Sequence, residues 1–452
     1  MRYPPLSKLC PVRYNILMST PRIILIGSSY SAFAVYSYLQ KYLLRIREPH
    51  DLLFIIDKSS CYNPSLLPEY LMDNCQINDV VDDVRKIAYT NPGIHILKTD
   101  LIDINFEEQK VKTSSGVYNY KCLVLAPDCD QASLDFDVSG ENFFLLNNPT
   151  NIDFLKKHII NLLEKSLYET NQENRKNLLS FTVIGANYFG LETACSLYDF
   201  IELTMKREYP ELNLDYKNFH LIERNKTLDL TDNIAFKNPI FIALNKRGIK
   251  LSLNNVVSRV DGDKIIFDDN KIIDSSTIVY ANKSDKSSQL ANILDSNMLN
   301  NFQIDLSGKI PKYKNVFLVG EMAKYLDLPN NLDSNSFIFN EQAKLCAENV
   351  IAAINSDELK PIHMNLNPGI LTLGRFNACV RFLNYNFTGV VGWVVYRLIV
   401  LFSSFGLHKK ARSMISLLCT IFQLSSPNFL NRDNFKSTSE SIIPSKEGLR
   451  SS

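Results

Sequence analysis

The chain is predicted to be an α/β protein with two Rossmann-like dinucleotide-binding domains and a C-terminal helical region that attaches to a membrane surface. Three observations predict this. An apolar run, a glycine turn, a helical pattern, a second apolar run and a terminal acid occur in that order over residues 23–57. The same order returns over residues 179–223, and strand, turn, helix, strand, acid is the order of a dinucleotide-binding βαβ unit. Finally, Phe387 to Leu407 is a stretch of 21 residues whose only charge is Arg397.

A chain of 452 residues that is 45% hydrophobic and 21% charged can bury two or more cores. This excludes disordered, collagen-like and disulfide-knot classes. Lys and Arg total 49 against 48 Asp and Glu, and no block of like charge interrupts the mixture, so a nucleic-acid partner is not expected. The nine cysteines form no Cys-x-x-Cys pair and do not cluster with the six histidines, which predicts a reduced compartment and no metal site. Residues 1–20 form an N-terminal extension. Arg2, Lys8 and Arg13 lie in it and no acid occurs before Glu48, the charge bias of a mitochondrial presequence. Pro4 and Pro5 oppose a helical start, and a plain extension is the alternative.

Each element follows from its pattern. Ile23-Ile24-Leu25-Ile26 is a β-branched run ending at Gly27, and Ala32, Val35, Tyr36 and Leu39 keep helical spacing behind it. Leu52 to Ile56 is the next strand, ending at Asp57. In the second unit, Leu179 to Ile184 runs into Gly185, and Phe219 to Ile222 ends at Glu223. Between the units, residues 111–117 and 123–126 read as strands and 151–165 as an amphipathic helix; beyond them, 249–260, 264–267 and 277–280 read as short strands. Asn315 to Val319 is another apolar run, ending in Gly320, and a helix over 337–354 follows. If the order of a two-dinucleotide flavoprotein holds, that late strand returns the chain to the first dinucleotide domain, which is then placed at 21–150 and 315–365, with the second at 151–314. Residues 366–424 form the amphipathic membrane-associated region, and the Ser/Asn/Lys-rich 425–452 a disordered tail.

In a dinucleotide turn the first glycine makes the bend, the second admits the pyrophosphate, and the third lets the helix pack on the strand. Gly27-Ser28-Ser29-Tyr30-Ser31-Ala32 keeps only the first glycine; Ser29 brings a Cβ to the second place, and Ala32 is small at the third. Asp57 is then the acid for the adenosine ribose. The alternative is a strand edge without a ligand. The second turn keeps Gly185 and Gly190, with Asn187 in the middle, a residue that tolerates left-handed backbone. Glu223 is the acid expected on a ribose 2′-hydroxyl, which favours NADH, while Arg224 leaves NADPH as the alternative. Glu192 lies in the first helical turn, where the helix dipole stabilises a carboxylate; it serves either the chemistry or the helix end.

A helix spanning a membrane over 387–407 would carry Arg397 near mid-bilayer, at roughly 2.5–3.5 kcal/mol. An interfacial helix pair is therefore preferred, with Val390, Trp393, Val394, Leu398 and Leu401 dipping toward the acyl chains and residues 408–412 facing anionic headgroups. A core helix pair of a soluble domain is the alternative.

Taken together over residues 21–415, the chain resembles the type II NADH dehydrogenases, single-subunit NADH:quinone oxidoreductases that pump no protons. Asn63 to Glu69 is similar to the family's Thr-Pro-Leu-Leu-Pro-Glu segment beside the flavin ring. Gly185 to Glu192 is similar to its nicotinamide turn, and Asn315 to Ala323 to the strand whose acid binds the ribityl chain. Leu373 to Ala378, then Gly392-Trp393 and Tyr396-Arg397, are similar to its membrane anchor.

The resemblance implies FAD along Gly27, Ser29, Ala32, Asp57, Gly320 and Glu321, with its ring near Pro64 and Leu67. It implies NADH on Gly185, Asn187, Gly190 and Glu223, Glu192 near flavin and nicotinamide, and Gln342 on the side of a ubiquinone-type quinone. It further implies a homodimer, peripheral on the inner membrane of a mitochondrion or related organelle. The chain departs from the family pattern at Ala126-Pro127-Asp128, at Tyr280 to Lys283, and at Phe337-Ile338, where Ile338 replaces a quinone-side glutamine. Two alternatives stay open. One is an apoptosis-inducing-factor-like NAD(P)H flavoprotein; the other is a catalytically silent membrane-associated relative, to which Ser29, Asp128 and Lys283 point.

Overall fold

Apolar strands with no polar alternation are stable only with both faces covered, which is the situation of a parallel sheet between layers. The computed structural model of the chain has two such sheets, and it describes residues 23–43, 51–84, 93–127, 134–213, 217–228, 234–281, 303–313, 315–326, 336–362, 369–382, 385–403 and 414–415. The expectations for residues 1–20, Asp128, Lys283, 408–412 and 425–452 lie outside the described residues.

In the first unit, β1 (Ile23–Ile26), α1 (Tyr30–Leu43) and β2 (Leu52–Ile56) follow one another as predicted; in the second, β3 (Ser180–Ile184), α2 (Tyr188–Glu208) and β4 (Asn218–Ile222) do the same. The first sheet is parallel throughout, in the order Val316–Leu318, Cys122–Leu125, β1, β2, Ile94–Lys98. The late strand thus returns the chain to the first domain, and helix α3 (Ser336–Asn355) follows it. Period-two alternation splits β1 between two cores. Ile23 and Leu25 pack with Phe33 and Tyr36 of α1 and Ala343 and Cys346 of α3, whereas Ile24 and Ile26 pack with Ile104 and Val111 of an antiparallel meander over 101–119. That meander turns at Ser114-Ser115, so the single strand expected over 111–117 is a hairpin arm on each side of the turn.

The second sheet runs Phe143–Leu145, Thr277–Tyr280, β3, β4, Lys250–Ser252, again all parallel. Asp137–Ser139 pairs with Val257–Asp261 beside it. Both early segments lie before the boundary placed at residue 150, and both belong to the second domain's sheets. Residues 249–260 form two strands, Lys250–Ser252 and Val257–Asp261, interrupted where Asn254 takes a left-handed φ of 58°.

Beyond residue 369 the chain forms an antiparallel sheet of Ile370–Thr372, Ala378–Phe382 and Tyr385–Phe387, on which α4 (Gly389–Ser403) packs. Gly392 permits this contact: a Cβ there would fall 2.2 Å from the Ala378 carbonyl oxygen and 2.8 Å from that of Phe387. The helix has an inner and an outer face. Trp393, Tyr396 and Arg397 are buried, while Val390 and Val391 are each 60% exposed and Val394 and Leu398 stand beside them. The outward direction predicted for Trp393 is corrected, because its ring lies inside at 1% exposure, edge-on to Phe376 at 4.9 Å. Among the described residues no helix is long and apolar enough to cross a membrane.

This packing has measurable consequences for stability. Gly392→Ala should destabilise the chain by more than about 1 kcal/mol, since the added methyl meets backbone that cannot yield; a urea titration followed by tryptophan fluorescence of Trp393 reads the change. A second consequence concerns acid. His158 donates from Nε2 to the Ser276 carbonyl at 2.9 Å with its ring against Phe144, and burial holds its pKa below the usual histidine range; burial does the same to His220. The unfolded chain then binds more protons as pH falls through about 6.5, so stability declines on that side and not above it. His158→Gln should flatten the decline, measured as urea midpoints between about pH 7.5 and 5.5.

Candidate dinucleotide sites

The first turn is closed by contact too tight for any side chain. Gly27 has φ 137°, and a Cβ there would lie 2.1 Å from the Ala126 carbonyl oxygen. The Ser29 hydroxyl donates to that same carbonyl at 2.9 Å and accepts from the Ala32 amide at 3.1 Å, which makes it the N-cap of α1. The Ser28 hydroxyl donates to the Asp57 carboxylate and accepts from the Asp57 and Lys58 amides at 3.2 and 3.1 Å. The acid at the end of β2 is thereby pinned to the turn while remaining exposed.

A cavity of about 320 Å³ opens at this helix end, lined by Ser29, Ser31, Lys58, Pro64 and Glu321 among others. Three predicted residues, Ser29, Pro64 and Glu321, thus meet from three distant segments. Gly27 and Ala32 are not in its lining, Gly27 opening the turn and Ala32 standing in the first turn of α1; Asp57 is bonded to its wall at Ser28, and Gly320, at φ 100°, packs against Ser31. Leu67 does not line it; it is buried in the core beneath the second sheet. Lys58 and Thr150 also line the cavity, and neither belongs to a motif of the sequence. Lys58 follows the end-of-strand acid directly, which is the signal that could have found it. A cavity of this volume, at the positive end of a helix and with a lysine in its wall, fits the anionic backbone of an adenine dinucleotide.

The second turn repeats the device. Gly185 has φ 103°, and a Cβ on Gly190 would fall 1.9 Å from the Gly185 carbonyl oxygen, so helix and strand touch as the third glycine of the fingerprint requires. Asn187 accepts from the Gly190 amide through Oδ1 at 2.9 Å as the N-cap of α2. Its φ is −70° and ψ −178°, so it is extended: the left-handed tolerance expected of it is not used, and capping is the reason it suits the place. Glu223 is buried, and its two carboxylate oxygens accept from the Ala186 amide at 2.7 Å and the Asn225 amide at 3.0 Å. Arg224 pairs with Asp135 at 3.0 Å on the surface.

Glu192 and Gln342 bond to different parts of the molecule. Glu192 accepts through Oε1 from the Thr372 amide at 2.8 Å and hydroxyl at 3.0 Å, joining the second turn's helix to the C-terminal sheet. Gln342, buried on α3, accepts from the Gly320 amide at 3.2 Å and holds the loop that carries Glu321. Between the domains the structure adds a buried cluster that sequence reading missed. Glu69 and Arg397 are 0% and 5% exposed and face each other at 3.4 Å. Tyr396 donates to the Ser65 carbonyl at 3.4 Å, and burial, with the Glu69 and Glu192 carboxylates nearby, pushes its hydroxyl well above the usual tyrosine pKa.

The caps carry their own prediction. Asn187→Ala should cost about 0.5–2 kcal/mol of stability and Asn187→Gly only a few tenths, because glycine suits an N-cap and alanine does not. Urea unfolding without added nucleotide measures both, and Ser29 should behave alike.

Residues 21–342 match the family described as pyridine nucleotide-disulphide oxidoreductase. The chain is similar to a type II NADH:quinone oxidoreductase of Mycobacterium tuberculosis, 23% identical over 59% of this chain and 59% of that protein. It is also similar to the mitochondrial external NADH-ubiquinone oxidoreductase 2 of Saccharomyces cerevisiae, 21% identical over 48% of this chain and 40% of that one. The matches therefore span 59% and 40% of those relatives' lengths. Among solved structures, NDH2 from Plasmodium falciparum in complex with NADH superposes with a TM-score of 0.73 over 89% of this chain and 99% of that one, at 13% identity. The chain belongs to the pyridine nucleotide-disulphide oxidoreductase family and is, within it, a divergent relative of the type II NADH dehydrogenases.

Proposed function

We propose that the chain is a flavoenzyme that oxidises NADH and reduces a ubiquinone-type quinone, with FAD on the first domain and NADH on the second. One observation carries the reading: Ser29, Pro64 and Glu321, implied by the resemblance to touch FAD, converge on one cavity at the N-terminus of α1. FAD, when bound, supplies hydride acceptance and onward electron transfer. The protein's residues bind and orient. Lys58 and the helix end face the anionic backbone, Gln342 fixes the Gly320-Glu321 loop, and Glu223 braces the second turn through the Ala186 amide. Glu192, held by Thr372, stands where the nicotinamide turn meets the C-terminal sheet.

The outer face of α4, with Val390, Val391, Val394 and Leu398, supports attachment in the plane of a membrane, where a lipid-soluble quinone is concentrated. In this reading the transfer is non-electrogenic and respiratory, two copies pair through their C-terminal helices, and the basic N-terminal extension directs the chain to a mitochondrion. A catalytically silent relative is the second reading. It is favoured by the side chains of Ser29 and Asn187, which occupy the middle place of each turn, where the dinucleotide fingerprint has a glycine.

The visible spectrum of the purified full-length protein separates the two. The expected result is a bound flavin that bleaches on anaerobic addition of NADH and recovers with a soluble quinone analogue. A colourless protein that also fails to take up added FAD would sink the enzyme reading.

A further inference from the structure

The segment Asn63 to Asn74 reaches the cavity at Pro64; Leu66, Leu67 and Leu71 bury it in the core, and Tyr70 and Asp73 bond to Asp153 and Lys156. It is a turn, Pro64–Leu66, capped by Asn63, followed by the five-residue helix Leu67–Leu71. A helix that short is not stable alone. From the far end of the chain, α4 reaches this segment at three points. Tyr396 donates to the Ser65 carbonyl at 3.4 Å, Arg397 Nη1 faces Glu69 Oε2 at 3.4 Å, and Arg397 Nη2 donates to the Asn74 carbonyl at 3.3 Å. Asn74 in turn donates through Nδ2 to the same Glu69 oxygen at 2.9 Å. The guanidinium thus joins the middle of the short helix, at Glu69, to the chain three residues past its end, at Asn74, with the Trp393 ring 5.6 Å away on its own helix.

A buried ion pair is a poor source of stability, because desolvation offsets its attraction, yet it enforces one geometry. Arginine suits such a bridge because its rigid planar fork reaches a carboxylate and a carbonyl together, which a lysine ammonium does with less directional control. We propose that Arg397 is a positioning residue for the flavin, acting through Glu69 and the Pro64 turn, so that the C-terminal helix sets the wall against which the flavin rests. The inference rests on the flavin reading above. It assigns to the one charge of an apolar helix a role inside the protein.

The test compares Arg397→Lys, Arg397→Met and the double variant Glu69→Met/Arg397→Met with the unaltered full-length protein. The FAD dissociation constant is measured by flavin fluorescence, and the shape of the bound flavin's absorption bands is recorded at equal occupancy. Far-UV circular dichroism of the FAD-free proteins reports folding. Arg397→Met should weaken FAD binding by about tenfold and alter the bands, and Arg397→Lys should recover part of both. The double variant leaves no unpaired buried charge, so it should fold like the unaltered protein while its flavin bands stay altered. If Arg397→Met misfolds, the double variant decides. Unchanged FAD affinity and bands in the folded double variant overturn the proposal and leave the flavin reading standing. Failure of the unaltered protein to take up FAD overturns both.

Discussion

A guanidinium cannot stay in an apolar interior without a partner, and the pairing of Arg397 with Glu69 is the constraint around which the C-terminal part of this protein is arranged. Both residues are almost wholly buried. Removing one partner of such a pair costs on the order of 3–5 kcal/mol, since the other is left as an uncompensated charge. The pair therefore dictates which face of α4 turns inward. Once Arg397 points in, Trp393 and Tyr396 must follow by helical spacing, and Val390, Val391, Val394 and Leu398 are left outside.

The same region is tied to the second domain by other buried polar contacts. Asp199 on α2 takes a bidentate bond from Arg247, at 2.7 and 2.9 Å, and a third from the Arg375 amide at 2.6 Å. That turn is tight: Gly374 has φ 86° and would place a Cβ 2.1 Å from Asp199, and Phe376 is held at φ 55° with its ring against Trp393. Left-handed backbone at a bulky residue persists only where its surroundings impose it. With Glu192 bonded to Thr372, the C-terminal sheet is fastened to the helix that begins at the second glycine turn. The two domains and the C-terminal module consequently share one core, in which Leu67, Leu191 and Trp393 are all members.

The two turns solve one problem alike. Each keeps a glycine where a Cβ would strike a carbonyl, each ties the acid at the strand end back to the turn's second residue, and each caps its helix from the middle position. Ser29 and Asn187 thus trade open backbone for a polar side chain that satisfies a helix amide. The two turns thus keep their shape without a middle glycine, in a chain with only 16 glycines, about half the usual roughly 7%.

Sequence alone determined the two βαβ units, the apolar run at Asn315 to Val319 and the helices behind them, because uninterrupted apolar runs and helical spacing are local signals; the return of that run to the first sheet followed only from the family order. It also located Gly27, Gly185 and Gly190, whose need for glycine is a property of a short turn. Tertiary structure decided the rest. Phe143–Leu145 joined the second sheet although it precedes the second unit, since strand pairing depends on neighbours in space. Asn187 proved to be a cap, which is a matter of one dihedral angle. The inward turn of Trp393 and Arg397 was not legible because hydrophobicity and charge along α4 do not reveal that its partner is Glu69, more than three hundred residues earlier. A charge in an apolar run has the same pattern whether it is destined for a headgroup or for a buried carboxylate, and only the fold supplies the carboxylate.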